Sequence, residues 1–196
     1  MSDHYARGPS RVSEVWLVRH GETDWSRDHR HTSHTDLPLT ESGVATAGDL
    51  KGRLAGEEFQ LVLTSPRQRA RRTAELAGFT DAEIDQDLVE WEYGDYEGVT
   101  TAAIRQTRPG WSVWTDTTPG GEPPDLLAAR LDRVIRRIEE VDGRVLVFGH
   151  GHALRALTAR WLGLTVSEGR LFRLDTATIS VLGYERETPV ILRWNG

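Results

Sequence analysis

Two arginines, two histidines and a serine follow three short apolar runs of the sequence, either directly or about one helical turn later. Arg19 and His20 follow the first run, Ser65 and Arg69 the second, and His150 the third. A guanidinium group offers a planar fork of donors that matches a phosphate or carboxylate, and it stays charged at every relevant pH. An imidazole among such groups can act as nucleophile, acid or base. These residue types together indicate a site that binds an anion and acts on it.

Each of these residues alone also fits a structural role. A single histidine after a strand, such as His150, is more often a hydrogen-bonded structural residue than a catalyst. The conjunction with Arg19 and Arg69 reverses that preference, because buried cations without an anion to neutralise them are costly. The residues alone do not decide which imidazole attacks, since the same arrangement would permit either His20 or His150 to do so.

The three apolar runs are predicted to be the strands that carry these residues. Each is too short for a helix, shows little polar alternation and ends at a turn signal, as parallel strands covered on both faces do. The runs are Val15 to Val18, Leu61 to Leu63 and Val145 to Phe148. Two later segments, Thr178 to Tyr184 and Val190 to Trp194, are predicted to be edge strands.

Helical patterns lie between the strands. Thr40 is predicted to cap a helix that runs to Leu54, and Ser65 with Pro66 to cap a second helix from Arg67 to Ala77. A third helix, from Asp125 to Val141, has an apolar residue at three- and four-residue steps. Its solvent-facing side is assigned to Arg130, Arg133, Arg136 and Arg137. A fourth helix is predicted after His150, through Ala153 and Leu157 to Leu162.

Alternating strands and helices predict an α/β fold, a three-layer α/β/α sandwich with a mostly parallel central sheet. Ligands of such sheets collect at the carboxyl ends of the strands, where His20, Ser65 and His150 fall. The stretch from Arg108 to Pro124, rich in tryptophan, glycine and proline, is predicted to be a structured loop that could cover the site.

Length and composition limit the classes of function. The 196 residues predict one domain, residues 12–196, after a polar N-terminal tail, residues 1–11. The absence of cysteine excludes disulfides, zinc–thiolate sites and cysteine nucleophiles. A net charge of -6 argues against a nucleic-acid surface, and no apolar segment is long enough to span a membrane. A cytoplasmic location is therefore expected.

Four motifs resemble those of the histidine phosphatase superfamily, on its phosphoglycerate-mutase-like side. The segment Arg19-His20-Gly21-Glu22-Thr23 looks like the R-H-G-E-[ST] signature. The segment Ser65-Pro66-Arg67-Gln68-Arg69-Ala70 is similar to S-P-x-x-R-A, and the other two matches are Leu88 to Gly98 and Phe148 to Gly151. The motifs occur in the family's order, and the resemblance implies a phosphoglycerate-mutase-like fold.

The resemblance also implies a role for each matching residue. His20 would be the nucleophile that accepts the phosphoryl group, and Glu90 the proton donor. The phosphate would be held by three residues: Arg19, Arg69 and His150. Glu90 is chosen over its neighbour Glu92 because it matches the L-x-E-x-x-x-G pattern of the family.

Six further residues are predicted to bind the substrate: Thr23, Ser26, Thr32, Ser33, Tyr93 and Gly151. Two of them depart from the family pattern. Ser26 stands where many relatives have asparagine, and Ser33 lies in a segment where a glycine is common. The departures concern contacts with the leaving group rather than the phosphoryl chemistry.

Four histidines raise the alternative of a metal site: His29, His31, His34 and His152. Imidazole clusters bind transition metals. A cation would, however, compete with Arg19 and Arg69 for one pocket, and no acidic ligand set accompanies the histidines. The prediction is therefore no metal and no cofactor.

The segment from Trp91 to Gly98 favours hydrolysis, since it is similar to that of the acid phosphatases and sedoheptulose bisphosphatases of the superfamily. The expected substrate is a small phosphomonoester, with sugar phosphates among the candidates, and relatives suggest a homodimer. One alternative is phosphoryl transfer of the phosphoglycerate mutase type. Another is a domain that binds phosphorylated ligands without turning them over.

Overall fold

Six strands form one sheet in the computed structural model, which describes residues 12–196. The predicted tail, residues 1–11, lies outside the described residues. The strand order is β3-β2-β4-β1-β5-β6, and the first four strands in this order are parallel. The strands are β1 (Val12–Arg19), β2 (Leu61–Thr64), β3 (Glu83–Ile84), β4 (Gly143–Gly149), β5 (Ile179–Glu185) and β6 (Thr188–Arg193).

The three strands predicted from apolar runs are confirmed as β1, β2 and β4, which are neighbours in the sheet. The prediction of β5 as an edge strand was wrong. It pairs antiparallel with β1 on one side and with β6 on the other. Its apolar residues Ile179, Val181 and Leu182 are buried, and this favours an inner position. The two edges are β6 and the two-residue strand β3.

Among residues 12–196, six α-helices connect and cover the strands: α1 (Asp24–Arg27), α2 (Glu41–Arg53), α3 (Gln68–Leu76), α4 (Thr101–Thr107), α5 (Pro124–Glu139) and α6 (Gly151–Trp161). Thr40 caps α2 as predicted, since its hydroxyl accepts a bond from the N–H of Gly43 at 3.0 Å. None of the helices within residues 12–196 combines the length and apolarity that crossing a bilayer requires.

The predicted cap of α3 was wrong. Arg67, not Ser65, is the N-cap residue, and α3 begins at Gln68. The Ser65 hydroxyl accepts a bond from the N–H of Arg67 at 3.3 Å but also lies 2.7 Å from the ring of His150. Ser65 therefore belongs to the functional edge of the sheet rather than to the helix.

The sheet is covered on both faces, which explains why its inner strands are continuously apolar. On one face, Val15 and Leu17 pack in a buried cluster with residues of α5 and α6, such as Leu131. On the other face, Trp16 packs with residues of α2 and α3, such as Leu50. The predicted three-layer α/β/α sandwich is therefore confirmed.

The stretch from Arg108 to Pro124 has the predicted character of a structured loop. Trp111, Val113 and Trp114 are buried in the core of the domain. The carbonyl of Trp111 accepts a bond from Arg105 Nε at 2.8 Å. The loop therefore has a fixed shape where it approaches the carboxyl edge of the sheet.

Candidate active site

A cavity of about 230 Å³ opens at the carboxyl edge of the sheet. His20 follows β1, and its N–H donates to the carbonyl of Gly149 at the end of β4. His150 follows β4, and Ser65 follows β2. The predicted convergence of the three strand ends is present, and the cavity is lined by Arg19, His20, Glu90 and Gly151 among other residues.

The imidazole of His20 has one nitrogen engaged by the protein. Its Nδ1 lies 2.7 Å from the carbonyl oxygen of Gly21. A carbonyl can only accept, so Nδ1 carries the proton and Nε2 keeps its lone pair. Burial, followed by the charges of Arg69 and Arg19, lowers the pKa of His20 well below its ordinary value. Both effects favour the neutral, nucleophilic form of the His20 imidazole.

The turn after His20 lies between the helices α3 and α2. The N–H of Gly21 donates to the Thr73 hydroxyl of α3 at 3.0 Å. On the other side Gly21 faces Gly43 of α2, where a Cβ added to Gly21 would lie 2.5 Å from the Gly43 carbonyl oxygen. Neither position has room for a side chain, so the backbone fixes the position of the imidazole.

Both ring nitrogens of His150 are occupied. Its Nδ1 accepts a bond from Arg69 Nε at 3.2 Å, and its Nε2 lies 2.7 Å from the Ser65 hydroxyl. A guanidinium Nε–H can only donate, so the proton of the neutral ring is on Nε2 and points to Ser65. Burial lowers the pKa of His150 well below its ordinary value. Of the two imidazoles, only His20 has a nitrogen free to attack.

Arg69 is fully buried and is fixed by backbone carbonyls. Its terminal nitrogens donate to the carbonyls of Thr32, Ser33 and Thr35 at 3.1 to 3.3 Å. Desolvation lowers the pKa of Arg69, while Glu90 acts in the opposite direction. Arg69 therefore places a fixed positive charge behind His20 and His150.

Arg19 has a donor without a partner. Its Nη1 donates to the carbonyl of Leu174 at 2.6 Å, but its Nε is inaccessible to solvent and has no hydrogen-bond partner within residues 12–196. The guanidinium lies against Gly151, where an added Cβ would be 3.3 Å from Nε. A buried, unpaired donor costs about 1–3 kcal/mol, so the site is built for an anion that accepts from Arg19.

Glu90 lines the same cavity and is held at the N-terminus of α6. Its Oε1 accepts from the N–H groups of Ala153 at 2.7 Å and Trp91 at 2.9 Å, and its Oε2 from that of His152 at 3.1 Å. Oε2 accepts one hydrogen bond where Oε1 accepts two. It is therefore the oxygen better able to carry a proton toward a ligand.

The prediction that Arg130 lies on the solvent-facing side of α5 was wrong, because its side chain is buried. Its Nη1 donates to the carbonyls of Asp87 and Val89 at 2.6 and 2.8 Å, and its Nη2 to that of Glu90 at 3.2 Å. It also forms an ion pair with Glu122 at 2.7 Å. Arg130 thus holds the segment that presents Glu90, a role that the sequence analysis missed.

Replacing Arg130 with methionine is expected to destabilise the protein by about 3–5 kcal/mol, because Glu122 would keep a largely buried charge without its partner. Three backbone carbonyls would also lose their donor. The matched control is Arg136→Met, on the exposed side of the same helix, with an expected change within about 0.5 kcal/mol. Urea unfolding of both variants measures the difference, and equal midpoints would contradict it.

The six predicted substrate-binding residues separate into two groups. Ser26, Thr32, Tyr93 and Gly151 line the cavity. The other two make contacts within the protein: the Thr23 hydroxyl accepts from the N–H of Ser26 in a capping box of α1, and the Ser33 hydroxyl donates to Glu97 at 2.7 Å. Thr23 and Ser33 support the walls of the site.

Three of the histidines considered as metal ligands, His29, His31 and His152, also line the cavity. Tyr93 contacts the rings of His31 and His152, and its hydroxyl lies 2.6 Å from Nδ1 of His152. Two loop tryptophans pack behind these rings, with Trp111 5.4 Å from His31 and Trp114 5.1 Å from His152 between ring centroids. Within residues 12–196, no group of three or more His, Cys, Asp or Glu residues is arranged to hold a metal ion.

Comparisons with known proteins show the family of this chain. The family model for the histidine phosphatase superfamily (branch 1) matches residues 15–196. An acid phosphatase of Mycobacterium tuberculosis is 43% identical over 180 residues, which cover 89% of this chain and 88% of the relative. A sedoheptulose 1,7-bisphosphatase of Saccharomyces cerevisiae is 37% identical over 193 residues, covering 82% and 71%.

A solved structure of an open reading frame product of Mycobacterium tuberculosis superposes with a TM-score of 0.88 at 40% identity. The superposition covers 93% of this chain and 97% of the other.

Proposed function

Because the chain belongs to the histidine phosphatase superfamily (branch 1) and is a phosphomonoesterase of that type, we propose that it hydrolyses small phosphate esters through a phosphohistidine on His20, with Glu90 as the proton donor. One observation carries the assignment of His20. It is the imidazole whose Nδ1 is held by the Gly21 carbonyl and whose Nε2 is left free, in the cavity that Arg19 also lines with an Nε–H that has no partner among the described residues.

The first step forms the phosphoenzyme. Nε2 of His20 attacks phosphorus in line, and the bond between phosphorus and the ester oxygen breaks. Glu90, in its acid form, gives its proton to the leaving alkoxide, which departs as an alcohol. Arg19 donates to the equatorial oxygens of the phosphoryl group. The fixed positive charge of Arg69 stabilises the negative charge on those oxygens.

The second step returns the enzyme to its starting state. Glu90, now a carboxylate, takes a proton from a water molecule that attacks phosphorus. The bond between phosphorus and Nε2 of His20 breaks, and inorganic phosphate is released. Glu90 is again protonated, so the two steps balance without a metal ion or other cofactor.

A non-catalytic phosphate-binding domain is the less favoured candidate. Such a domain would need Arg19 and Arg69 but neither a free imidazole nitrogen nor a carboxylate beside it. Mutase-type transfer is also less favoured, because the basic residues that follow the Trp91 to Gly98 segment, Arg105 and Arg108, are held within the protein. Arg105 Nε and Arg108 Nη1 donate to the carbonyls of Trp111 and Thr117 in the 108–124 loop. A cytoplasmic location, a homodimer and the absence of nucleic-acid binding stay predictions.

Release of inorganic phosphate from p-nitrophenyl phosphate tests the proposal. The EDTA-treated protein is expected to retain full turnover at mildly acidic to neutral pH, since the charges that stabilise the phosphoryl group come from arginines. Absence of turnover by the untreated protein would favour the binding domain. Loss of activity in EDTA that a divalent cation restores would contradict the metal-independent mechanism.

A further inference from the structure

His31 is a buried polar residue that the two-step mechanism does not use. Its side chain lines the cavity, only 7% of the residue is exposed, and its Nε2 has no hydrogen-bond partner within residues 12–196. A buried polar atom in a folded protein usually has a partner. Because His31 lines the cavity, a bound ligand can supply the missing partner.

The ring of His31 is fixed in place. It packs against Tyr93 with 4.7 Å between ring centroids and against Trp111 with 5.4 Å. Its backbone N–H donates to the carbonyl of Val99 at 3.0 Å, and its carbonyl accepts from Gly98 at 2.8 Å. Such a group is preorganised, so a ligand that bonds to it bears little cost of ordering it.

His31 presents a neutral imidazole. Burial lowers its pKa to about 4, with a smaller opposing effect of Glu97. A neutral imidazole has one donor and one acceptor nitrogen. The matching ligand group is a hydroxyl, which also both donates and accepts. A second anionic group would be matched by a cation instead.

The rest of the cavity wall beyond the phosphoryl site is polar as well. Leu174 has the one aliphatic side chain among the residues that line the cavity. Two further arginines line the cavity, and both donate to backbone carbonyls: Arg30 Nη1 to that of Gly98 at 3.5 Å, and Arg155 Nε and Nη2 to those of Gly169 and Arg170. The Arg155 guanidinium also stacks 4.6 Å from the Trp114 ring centroid. The hydroxyl, imidazole and guanidinium groups that line the cavity favour a leaving group rich in hydroxyls over an apolar one.

We propose that His31 is a specificity-determining residue that hydrogen-bonds a hydroxyl on the alcohol half of the substrate, so that the preferred substrates are phosphate esters of polyols and sugars. This inference rests on the proposed function. It adds a contact that recognises the leaving group, remote from the phosphorus atom. Loss of the contact would lower the efficiency with hydroxylated esters and leave other esters unaffected.

The test uses three pairs of phosphate esters matched in carbon number: glycerol 3-phosphate with n-propyl phosphate, ribose 5-phosphate with n-pentyl phosphate, and glucose 6-phosphate with n-hexyl phosphate. His31→Phe is expected to lower kcat/KM for at least one hydroxylated member by about 10- to 100-fold, because a hydroxyl is left without its partner. For the alkyl member of that pair the expected change is less than about threefold.

Two further variants separate recognition from packing. His31→Gln keeps a donor and an acceptor and is expected to restore most of the efficiency with the hydroxylated ester. His34→Phe, at a histidine with 58% of its side chain exposed, is expected to change neither member of a pair.

Equal losses on both members of every pair, or no loss on any, would overturn the role of His31 and leave the phosphatase assignment intact. Absence of phosphate release from every ester by the unchanged protein would overturn the proposed function, and this inference with it.

Discussion

Replacing His20 with alanine is expected to abolish turnover and to prevent formation of a phosphoenzyme. Alanine has no lone pair to attack phosphorus, and the other imidazole at a strand end, His150, cannot substitute, because both of its nitrogens are engaged by Arg69 and Ser65. Loss of a nucleophile costs an enzyme on the order of 10⁴-fold or more in kcat. Acid-quenched single-turnover reactions with radiolabelled substrate measure both the turnover and the label on the protein.

The control for this variant is His34→Ala, which removes an exposed imidazole fourteen residues further along the chain. It should leave both turnover and labelling unchanged. Labelling of the His20→Ala protein, or a loss of only a few-fold in kcat, would assign the nucleophile to another residue.

Replacing Glu90 with glutamine should slow esters with poor leaving groups far more than activated esters. An alkyl alkoxide needs a proton as it departs, whereas p-nitrophenolate does not, and general acid catalysis contributes about 10²- to 10⁴-fold. The amide NH2 group of glutamine, in the position of Oε2, also cannot accept the hydrogen bond that the N–H of His152 donates there. That structural cost falls equally on both substrates, so the ratio of the two kcat values isolates the proton transfer.

Glu92→Gln is the matched control, because Glu92 is two residues away and exposed. It should alter neither kcat. If Glu90→Gln reduced turnover of both esters to the same extent, the proton donor would have to be another group.

The inner strands and their functional ends were predictable because their local signals agree with the fold. Val15 to Val18 are buried on both faces, which removes alternation and leaves a continuous apolar run. The position of β5 was not predictable in this way. Whether a strand at the end of a chain lies inside a sheet or at its edge depends on its partner strands, here β1 and β6.

Arg130 shows how a residue type can mislead where the spacing does not. It lies three residues after Leu127 and four before Val134, so the helical period itself places it on the buried face. The positive charge of Arg130 instead led to the prediction that its side chain faces solvent. Its actual partners are the Glu122 carboxylate and three carbonyls, those of Asp87, Val89 and Glu90. No local sequence pattern predicts contacts between residues so distant in sequence.

The roles of the histidines could be assigned only from the structure. The sequence placed His20 and His150 at strand ends but could not assign their protons, because tautomers follow from the hydrogen-bond partners. His31 lies in a segment without periodicity and was considered only as a metal ligand. Its unpaired Nε2 becomes visible once Tyr93 and Trp111 are seen to pack around it.

The close approach of Gly21 and Gly43 has a consequence for the evolution of this enzyme. The obstacle to a side chain at either position is the main chain of the other segment, not a side chain that a second mutation could shorten. The clash caused by a side chain at one glycine therefore cannot be relieved by any substitution at the other. In a library that varies both positions at random, active clones should recover glycine at both together, and laboratory selection should find no suppressor between them.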